Sequence, residues 1–592
     1  MSYVPKEGET CTFQILFTSD VHCAFRDYNY YTGVNTHKTG LSMIAPLMRR
    51  EKEAFCGTTF IADIGDIIQG NGAYSLIGNE QFKPHPMLAA YDALGYDMVA
   101  IGNHEFNYGI PALLTAFDGY KGDKLCGNIF DCKGNLLEGF EAFTIKTLST
   151  GLRIAFIGMV SPNVDKWDAA KLQSAGYTSE SVATAVRRTI DKLKNDDLAD
   201  VIVVLGHMHI RNELDREGSG AEDVIEINPE IDVFLGAHFH TAIGTKDNQY
   251  IIHDKVKFAE NKSAFTTYGK VLITATYEND RWSVKNKIGS YDESDVKTDI
   301  IEIISDPKMD EITQGAHDHI IKFMETLIGT LSGGSLVPPP EIKGTHEVIL
   351  RPTPLVSFLA NVIGKYSKAD IVSVSANDYS VNCYEGSITL GDISRMYIYD
   401  NNTIYTVKMT GEQLLQWMEW SYAFFGTVNL ETDLTIAYGN EKKVYLHDKF
   451  CGVDYEVDLT KEVGERIKIL RMSDGSVFDP SKIYTAAASN YRATTNLLIS
   501  TKDGIFKPGT ACAELDRMDI ESPGGKLNVL EWIAEYIESQ KDKTIYNECN
   551  QNWQFINLNW DKELRAKAID LINSESIIAY DHKIAVKKTD IS

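Results

Sequence analysis

Five short apolar runs, each ending at metal-ligand residue types, constrain this chain more than any other feature. Phe13–Thr18 leads into Ser19-Asp20-Val21-His22, and Thr58–Ile64 into Gly65-Asp66. Asp97–Ile101 leads into Gly102-Asn103-His104-Glu105, Asp200–Leu205 into Gly206-His207, and Ile231–Leu235 into Gly236-Ala237-His238-Phe239-His240. The runs are rich in β-branched or aromatic residues, which favours strand over helix. Segments such as Val182–Leu193 read as helices between them, which is the alternation of an α/β fold. In open α/β sheets ligands gather outside the carboxyl ends of the strands. Five segments far apart in sequence are therefore expected to converge on one rim.

The loops carry a defined chemistry. The chain has 14 histidines, and six of them (His22, His104, His207, His209, His238 and His240) fall in these loops. Imidazole mixed with carboxylate and one carboxamide suits manganese, zinc, iron or cobalt better than calcium alone. Seven ligands exceed what one catalytic ion takes, so two divalent metal ions are expected. Two such ions about 3.5–4 Å apart activate a water and clamp the oxygens of an in-line displacement at phosphorus. Phosphoester hydrolysis is the reading that follows.

Composition narrows the substrate. With 58 Lys+Arg against 83 Asp+Glu the net charge is −25, which argues against nucleic acid polymers and anionic membranes as partners. A small anion at a local metal site remains compatible with it. No apolar run reaches the ~18 residues of a membrane span, and Met1–Thr10 lacks the basic and apolar regions of a signal peptide. The nine cysteines are scattered without a CxxC pair, so reduced thiols and a cytoplasmic location are expected.

Along the chain, Met309–Leu331 has apolar residues at helical spacing, followed by Ser332-Gly333-Gly334-Ser335 and Pro338-Pro339-Pro340, which cannot continue a helix. The expected organisation is a catalytic domain over 1–305, a linker helix and linker over 306–340, a second domain over 341–560 and a tail over 561–592. In the second domain Pro354–Tyr366 reads as a helix, and Ile404–Met409 and Ile483–Ala488 as strands. Lys562–Ile572 reads as a short helix in the tail.

The series Asp20-x-His22, Gly65-Asp66, Gly102-Asn103-His104-Glu105, Gly206-His207 and His238-x-His240 resembles the calcineurin-like metallophosphatases. With the second domain the chain is similar to the 5′-nucleotidase family, and most to its bifunctional 2′,3′-cyclic-nucleotide 2′-phosphodiesterase/3′-nucleotidase branch. The branch-specific residues are Gly65-Asp66-Ile67-Ile68-Gln69-Gly70, His85-Pro86, Gly102 to Gly109, Asn490-Tyr491-Arg492-Ala493 and Asn552-Trp553. The resemblance implies an α/β chain: a four-layer α/β/β/α calcineurin-like sandwich followed by a smaller α/β domain of 5′-nucleotidase type. It implies one metal on Asp20, His22, Asp66 and His240 and another on Asp66, Asn103, His207 and His238, with Asp66 bridging. His104 would lie beside the phosphate as a catalytic group. Asn107 stands where true 5′-nucleotidases carry an Asp paired with that histidine, and the cyclic phosphodiesterase branch carries this Asn.

In the second domain the resemblance implies that Tyr399 and Tyr491 sandwich the base, with Asn402 in the same substrate-binding loop. Stacking is worth roughly 1–3 kcal/mol and tolerates any base, so small-molecule nucleotides of broad base range are the expected substrates. Two departures stand out. Ala237 replaces a usual glycine, and Thr494-Thr495-Asn496 replaces the glycines that normally follow the Tyr491 motif. The implied reaction converts a 2′,3′-cyclic nucleotide to a 3′-nucleotide and then to nucleoside and phosphate. The competing readings are a 5′-nucleotidase or nucleotide-sugar hydrolase on the same metals, and a non-catalytic nucleotide-binding protein.

Bland readings suffice elsewhere. His209 follows a ligand by two residues and reads as a supporting loop residue. His85, His253, His317, His319, His346, His447 and His582 read as non-ligands, and Cys23 as buried and unreactive.

Overall fold

The computed structural model describes residues 3–36, 39–243, 250–252, 256–286, 305–439, 442–575 and 580–591; His253 lies outside them. The chain forms two compact units, Met1–Lys322 and Phe323–Ser592.

The first unit contains strands β1 (Thr10–Thr18), β2 (Thr58–Asp63), β3 (Met98–Ala100), β4 (Asp123–Leu125), β5 (Phe143–Thr147) and β6 (Arg153–Val160). They are followed by β7 (Val201–His207), β8 (Val233–Gly236), β9 (Tyr250–Ile252), β10 (Val256–Glu260), β11 (Gly269–Glu278) and β12 (Arg281–Asn286). One six-stranded sheet has the order β12-β11-β1-β2-β3-β4 and the other β9-β10-β8-β7-β6-β5. The five runs read as strands from sequence are β1, β2, β3, β7 and β8. Within each sheet these runs are parallel to one another, with Phe13 opposite Thr58, Ala62 opposite Met98 and Val233 opposite Val203.

Alternation along β1 sends Phe13, Ile15 and Phe17 to the face between the sheets, where they share one core with Phe156, Val203 and Leu205 of the second sheet. Outside the second sheet, Val186, Ile190 and Leu193 of the helix Val182–Asn195 pack on Ile202 and Val204. Outside the first, the helix Leu41–Ala54 buries Leu41, Ile44 and Met48, and its Glu51 pairs with Lys270 of β11 at 3.0 Å. The result is the α/β/β/α layering, and it brings the carboxyl ends of the two parallel strand sets to one edge.

Met309–Leu331 is not one helix. The helix runs Pro307–Met324, and Leu327–Ser332 is a strand, β13, between Gly386–Thr389 and Thr544–Tyr546. Ile328 and Thr330 are β-branched and favour the strand. A Cβ at Gly329 would stand 2.4 Å from the Lys543 carbonyl oxygen, so glycine is what lets the neighbouring chain approach. The helix itself is fastened to the first unit: Arg26 Nε donates to Thr313 Oγ1 at 2.9 Å, and His317 Nδ1 meets the Tyr30 hydroxyl at 2.9 Å.

The second unit continues with β14 (Ile371–Ser375), β15 (Ile404–Thr410), β16 (Asp448–Cys451), β17 (Ile483–Ser489) and β18 (Glu514–Arg517), in the order β16-β14-β17-β15-β18. The helices Pro354–Ser367 and Gly411–Tyr422 pack on this sheet. The helix Lys562–Asn573 does not trail free: Ala568 and Ile572 share a buried cluster with Ile342, Leu434, Val586 and Ile591.

Candidate functional site

Three of the five strand-end loops, those after β1, β2 and β8, deliver their side chains by sharp turns of the backbone. Asp20, His22, Asp66, His238 and His240 all have positive φ, between 46° and 86°. Non-glycine residues in that region carry strain, and clusters of them mark sites whose geometry the surrounding fold imposes. Gly102 serves the same convergence differently: a Cβ there would lie 2.2 Å from Asp66 Oδ1 and 2.7 Å from His207 Cε1. No side chain fits at that position.

The side chains form two adjoining clusters. Asp20, His22 and His240 place ligand atoms within 4.8 Å of one another, and so do Asp66, His207 and His238. His22 Nε2 and His240 Nε2 are 3.2 Å apart, and His240 Nε2 is 3.5 Å from Asp20 Oδ1. His207 Nε2 lies 3.1 Å from Asp66 Oδ2 and 3.8 Å from Asp20 Oδ1, so the clusters are neighbours. Asp66 Oδ2, Asn103 Oδ1 and His207 Nε2 are all buried without a hydrogen-bond partner. Buried polar atoms are normally satisfied; here Asp66 Oδ2 and His207 Nε2 have only each other to face, and Asn103 Oδ1, one residue before His104, has no partner, which fits donors of a cation's coordination shell. The mix of imidazole, carboxylate and carboxamide donors fits two divalent ions of the transition-metal class.

Electrostatics agree with this. Burial opposes a charge on His207, yet Asp66 and Asp20 outweigh it and push its pKa up to about 10. That negative potential attracts a cation. His22 goes the other way: burial, with His104 and His240 nearby, lowers it to about 4 against the pull of Asp66 and Asp20. Its ring is therefore neutral, the state in which imidazole ligates metals. The orienting bonds are in place. His207 Nδ1 donates to the Ile64 carbonyl at 2.7 Å, and His22 Nδ1 faces the Gln69 carbonyl at 3.1 Å. His238 Nε2 lies 3.2 Å from Glu213 Oε2, its ring lies against Trp167, and its backbone N–H donates to Asp20 Oδ1 at 3.0 Å.

His104 stands at the edge of the clusters, its ring 5.3 Å from that of His22 and its Nε2 4.0 Å from Asp66 Oδ2. Its backbone N–H donates to Asp66 Oδ1 at 2.8 Å, and its Nδ1 meets Asn107 Oδ1 at 2.6 Å. One imidazole edge is thus held and the other is turned toward the ligands.

Sequence reading assigned no role to Glu105, although the residue lies inside the quoted motif. Its buried carboxylate accepts from the N–H groups of Gly102, Asp66, Ile67 and Ile68 at 2.6, 2.8, 2.6 and 3.1 Å. It welds the β2 loop to the β3 loop. Cys23 is buried, with Sγ 2.8 Å from the Ile68 carbonyl, and both Cys23 and His22 have positive φ. His209 pairs with Glu260 at 3.1 Å and stacks on Phe239, outside both clusters.

In the second unit Tyr399 and Tyr491 flank a third ring that sequence reading missed. Tyr445 lies 6.5 Å from Tyr399 at 88° and 6.3 Å from Tyr491 at 77°. Arg492 is buried and braces this corner, pairing with Asp448 at 2.9 Å and donating to the Tyr445 carbonyl at 2.8 Å and to Asn496 Oδ1 at 2.6 Å. The Thr494-Thr495-Asn496 segment lies in a π-helical turn, Ala493–Leu497, in which Thr495 Oγ1 donates to the Tyr491 carbonyl at 2.6 Å. Such turns are frequent at functional sites. Asn402 is buried, and its Nδ2 donates to the Tyr397 hydroxyl at 3.0 Å, which holds the loop that carries Tyr399.

Comparison with known proteins gives a consistent picture. The calcineurin-like phosphoesterase profile matches residues 13–242, and the 5′-nucleotidase C-terminal domain profile matches residues 328–499. The chain is 26% identical to a 2′,3′-cyclic-nucleotide 2′-phosphodiesterase/3′-nucleotidase of Haemophilus influenzae, across 93% of this chain and 88% of that one. It is 24% identical to the protein of the same description from Salmonella typhimurium, across 94% and 90%. In fold it is similar to a crystal structure of a Staphylococcus aureus protein assigned as a 5′-nucleotidase, with a TM-score of 0.72, 19% identity, and coverage of 92% of this chain and 99% of that one.

Proposed function

We propose that this chain, a metallophosphoesterase that joins a calcineurin-like phosphoesterase domain to a 5′-nucleotidase C-terminal domain, hydrolyses 2′,3′-cyclic nucleotides to 3′-nucleotides and these to nucleoside and phosphate. The observation that carries phosphoester hydrolysis is the pair of adjoining ligand clusters with orphaned acceptors, flanked by His104. The cyclic-nucleotide branch is favoured by Asn107 as the partner of His104, and by the relatives described as acting on these substrates.

Asp20, His22, Asp66 and His240 would hold one divalent ion, and Asp66, Asn103, His207 and His238 the other. When bound, such a pair supplies Lewis-acid polarisation of the phosphoryl oxygens and lowers the pKa of a water. The protein does the rest. Glu105 keeps the loops carrying Asp66 and Asn103 in register through four backbone N–H groups. Gln69 and Ile64 orient His22 and His207 through their Nδ1 atoms. His104, held at Nδ1 by Asn107, presents Nε2 to the phosphoryl group, where it steadies developing charge or passes a proton to the leaving 2′- or 3′-oxygen. Tyr399 and Tyr491 would grip the base by stacking, which sets affinity without reading its hydrogen-bonding edge.

The test is release of nucleoside and phosphate from 2′,3′-cyclic AMP, 3′-AMP and 5′-AMP. Metal-stripped protein is used, with manganese, zinc or cobalt added back. Metal-dependent turnover of the first two, with little of the third, is the expected result. Preference for 5′-AMP would transfer the chain to the 5′-nucleotidase reading. No turnover of any, with metal bound, would reject the nucleotide substrate.

A further inference from the structure

A line of three hydrogen bonds leads from His104 away from the ligand clusters. His104 Nδ1 meets Asn107 Oδ1 at 2.6 Å, Asn107 Nδ2 donates to Asp168 Oδ2 at 3.0 Å, and Lys171 Nζ donates to Asp168 Oδ1 at 3.0 Å. Asn107 and Asp168 are 6% and 4% exposed, so water does not substitute for these partners. The turn is also anchored at the rim, because Trp167, the residue before Asp168, lies against the His238 ring at 5.2 Å.

A carboxamide has an accepting end and a donating end, whereas a carboxylate only accepts. Asp168 therefore bonds to one orientation of Asn107 and repels the other. If the amide were turned over, its oxygen would face the Asp168 carboxylate and its NH₂ would face His104 Nδ1. We propose that Asp168 is a positioning residue for the reaction: it fixes the Asn107 carboxamide with its oxygen toward His104. Nδ1 then carries the donated hydrogen, and Nε2 is the ring atom directed at the phosphoryl group. This rests on the reading above, in which His104 acts at that group. The carboxylate that is absent at position 107 stands one link further out, and it acts through the amide.

The arrangement makes an unusual prediction about exchanging the two side chains. In D168N, Lys171 draws the new amide oxygen to itself, which leaves an NH₂ facing Asn107 and favours the turned-over amide. In N107D, two carboxylates would stand about 3 Å apart, which disfavours both being ionised. In the double variant N107D/D168N every group is again satisfied: Lys171 donates to the amide oxygen at 168, the amide NH₂ at 168 donates to the carboxylate at 107, and His104 Nδ1 donates to that carboxylate.

Two measurements decide this. The first is steady-state kinetics of the metal-loaded protein on 3′-AMP and on bis(p-nitrophenyl) phosphate, which contains no nucleoside. Losing an orienting partner typically costs about 10–100-fold. D168N and N107D are expected to lower kcat by that order with KM and metal content unchanged. The double variant is expected to recover to within about threefold of the parent, a strong coupling in the mutant cycle. Failure on 3′-AMP alone would count against the nucleotide reading and leave the comparison on the second substrate intact. The second measurement needs no turnover: in zinc-loaded protein with ¹⁵N-labelled histidine, the His104 signal (assigned by its loss in H104Q) should show hydrogen on Nδ1 in the parent and the double variant, and lose it in D168N. Should D168N not fold, N107D against the double variant carries the same test. A double variant no better than the worse single one, or a D168N with unchanged kcat and unchanged His104 tautomer, overturns the proposal.

Discussion

The two units use buried polar groups in opposite ways. At the strand ends of the first unit, acceptors that an ordinary core would satisfy are left open and aimed at one another, on backbone held in strained conformations. Around Tyr399, Tyr445 and Tyr491 in the second, the terminal nitrogens of the buried Arg492 guanidinium donate to Asp448, Asn496 and the Tyr445 carbonyl, and the rings supply the surface. The first arrangement suits a ligand of fixed charge and geometry, and it fails as a unit when one donor is lost. The second suits a flat apolar ligand of variable edge, and it should degrade gradually.

That difference sets the largest expected effect. Asp66 belongs to the second cluster by distance, yet it also carries the backbone N–H of His104 and sits beside Asp20 across His207. D66A should lower kcat by well over the ~10–100-fold typical of an orienting partner, and should reduce bound metal, measured by elemental analysis, from two ions per chain to one or none. Retention of two ions would show that Asp66 is not shared.

Glu105 tests whether the first unit's strain is held by one weld. Burial and the nearby Asp66 raise its pKa against the backbone hydrogen bonds from Gly102, Ile67 and Ile68 that favour the ionised form. E105A leaves those N–H groups without their acceptor, and a buried unsatisfied group costs about 1–3 kcal/mol. With four N–H groups affected, a loss of at least about that size is expected in denaturant unfolding, with faster amide exchange in peptides spanning 64–70 and 101–107. Exchange in second-unit peptides should not change.

The aromatic corner should respond more mildly. Y491A should raise KM for nucleotides by about 5–150-fold, the equivalent of roughly 1–3 kcal/mol of stacking. It should leave kcat/KM on bis(p-nitrophenyl) phosphate unaltered. Y445A, which removes the ring standing across both tyrosines, should show a smaller shift of the same kind. Equal losses on both substrates would mean that these rings support the fold and not the base.

The contrast also explains what could be read from sequence. Ligands that follow a strand within one to four residues, such as Asp66 after β2 or His238 after β8, announce themselves because the strand pattern and the ligand lie in one window. Asp and His are among the non-glycine residues that tolerate positive φ, but nothing local says which of them adopt it; the sheets decide the five that do. Glu105 was visible as a letter in a motif, but its four amide partners come from two loops that meet only in the fold. Asp168 lies 61 residues from Asn107, and Tyr445 is one of 29 tyrosines, so neither carries a local pattern. Residues 327–331 of the strand Leu327–Ser332 suit a helix equally by their apolar spacing; the close approach of Lys543 at Gly329 decides for the strand, and that contact spans more than 200 residues.

The smallest effect concerns a buried charge that serves no visible ligand. Lys449 on β16 is 1% exposed, and burial holds its pKa well below the usual 10.5, partly offset by Asp448; the Trp553 ring lies 5.8 Å away. A lysine whose folded pKa is depressed binds its proton less tightly in the folded state than in the unfolded one. Stability therefore rises with pH from the folded pKa up to the unfolded value near 10.5, and at neutral pH the group is a liability. K449M keeps the apolar stem without the amine, and should stabilise the second unit at pH 7 by about 0.5–2 kcal/mol. The gain should shrink as pH approaches 10.5. Adding metal should protect first-unit peptides from amide exchange in the parent and in K449M alike, because bound ions stabilise only the state that binds them. If K449M instead destabilises at pH 7, Lys449 contributes there as the charged partner of Asp448, and an effect that does not vary with pH would mean that burial does not shift its pKa.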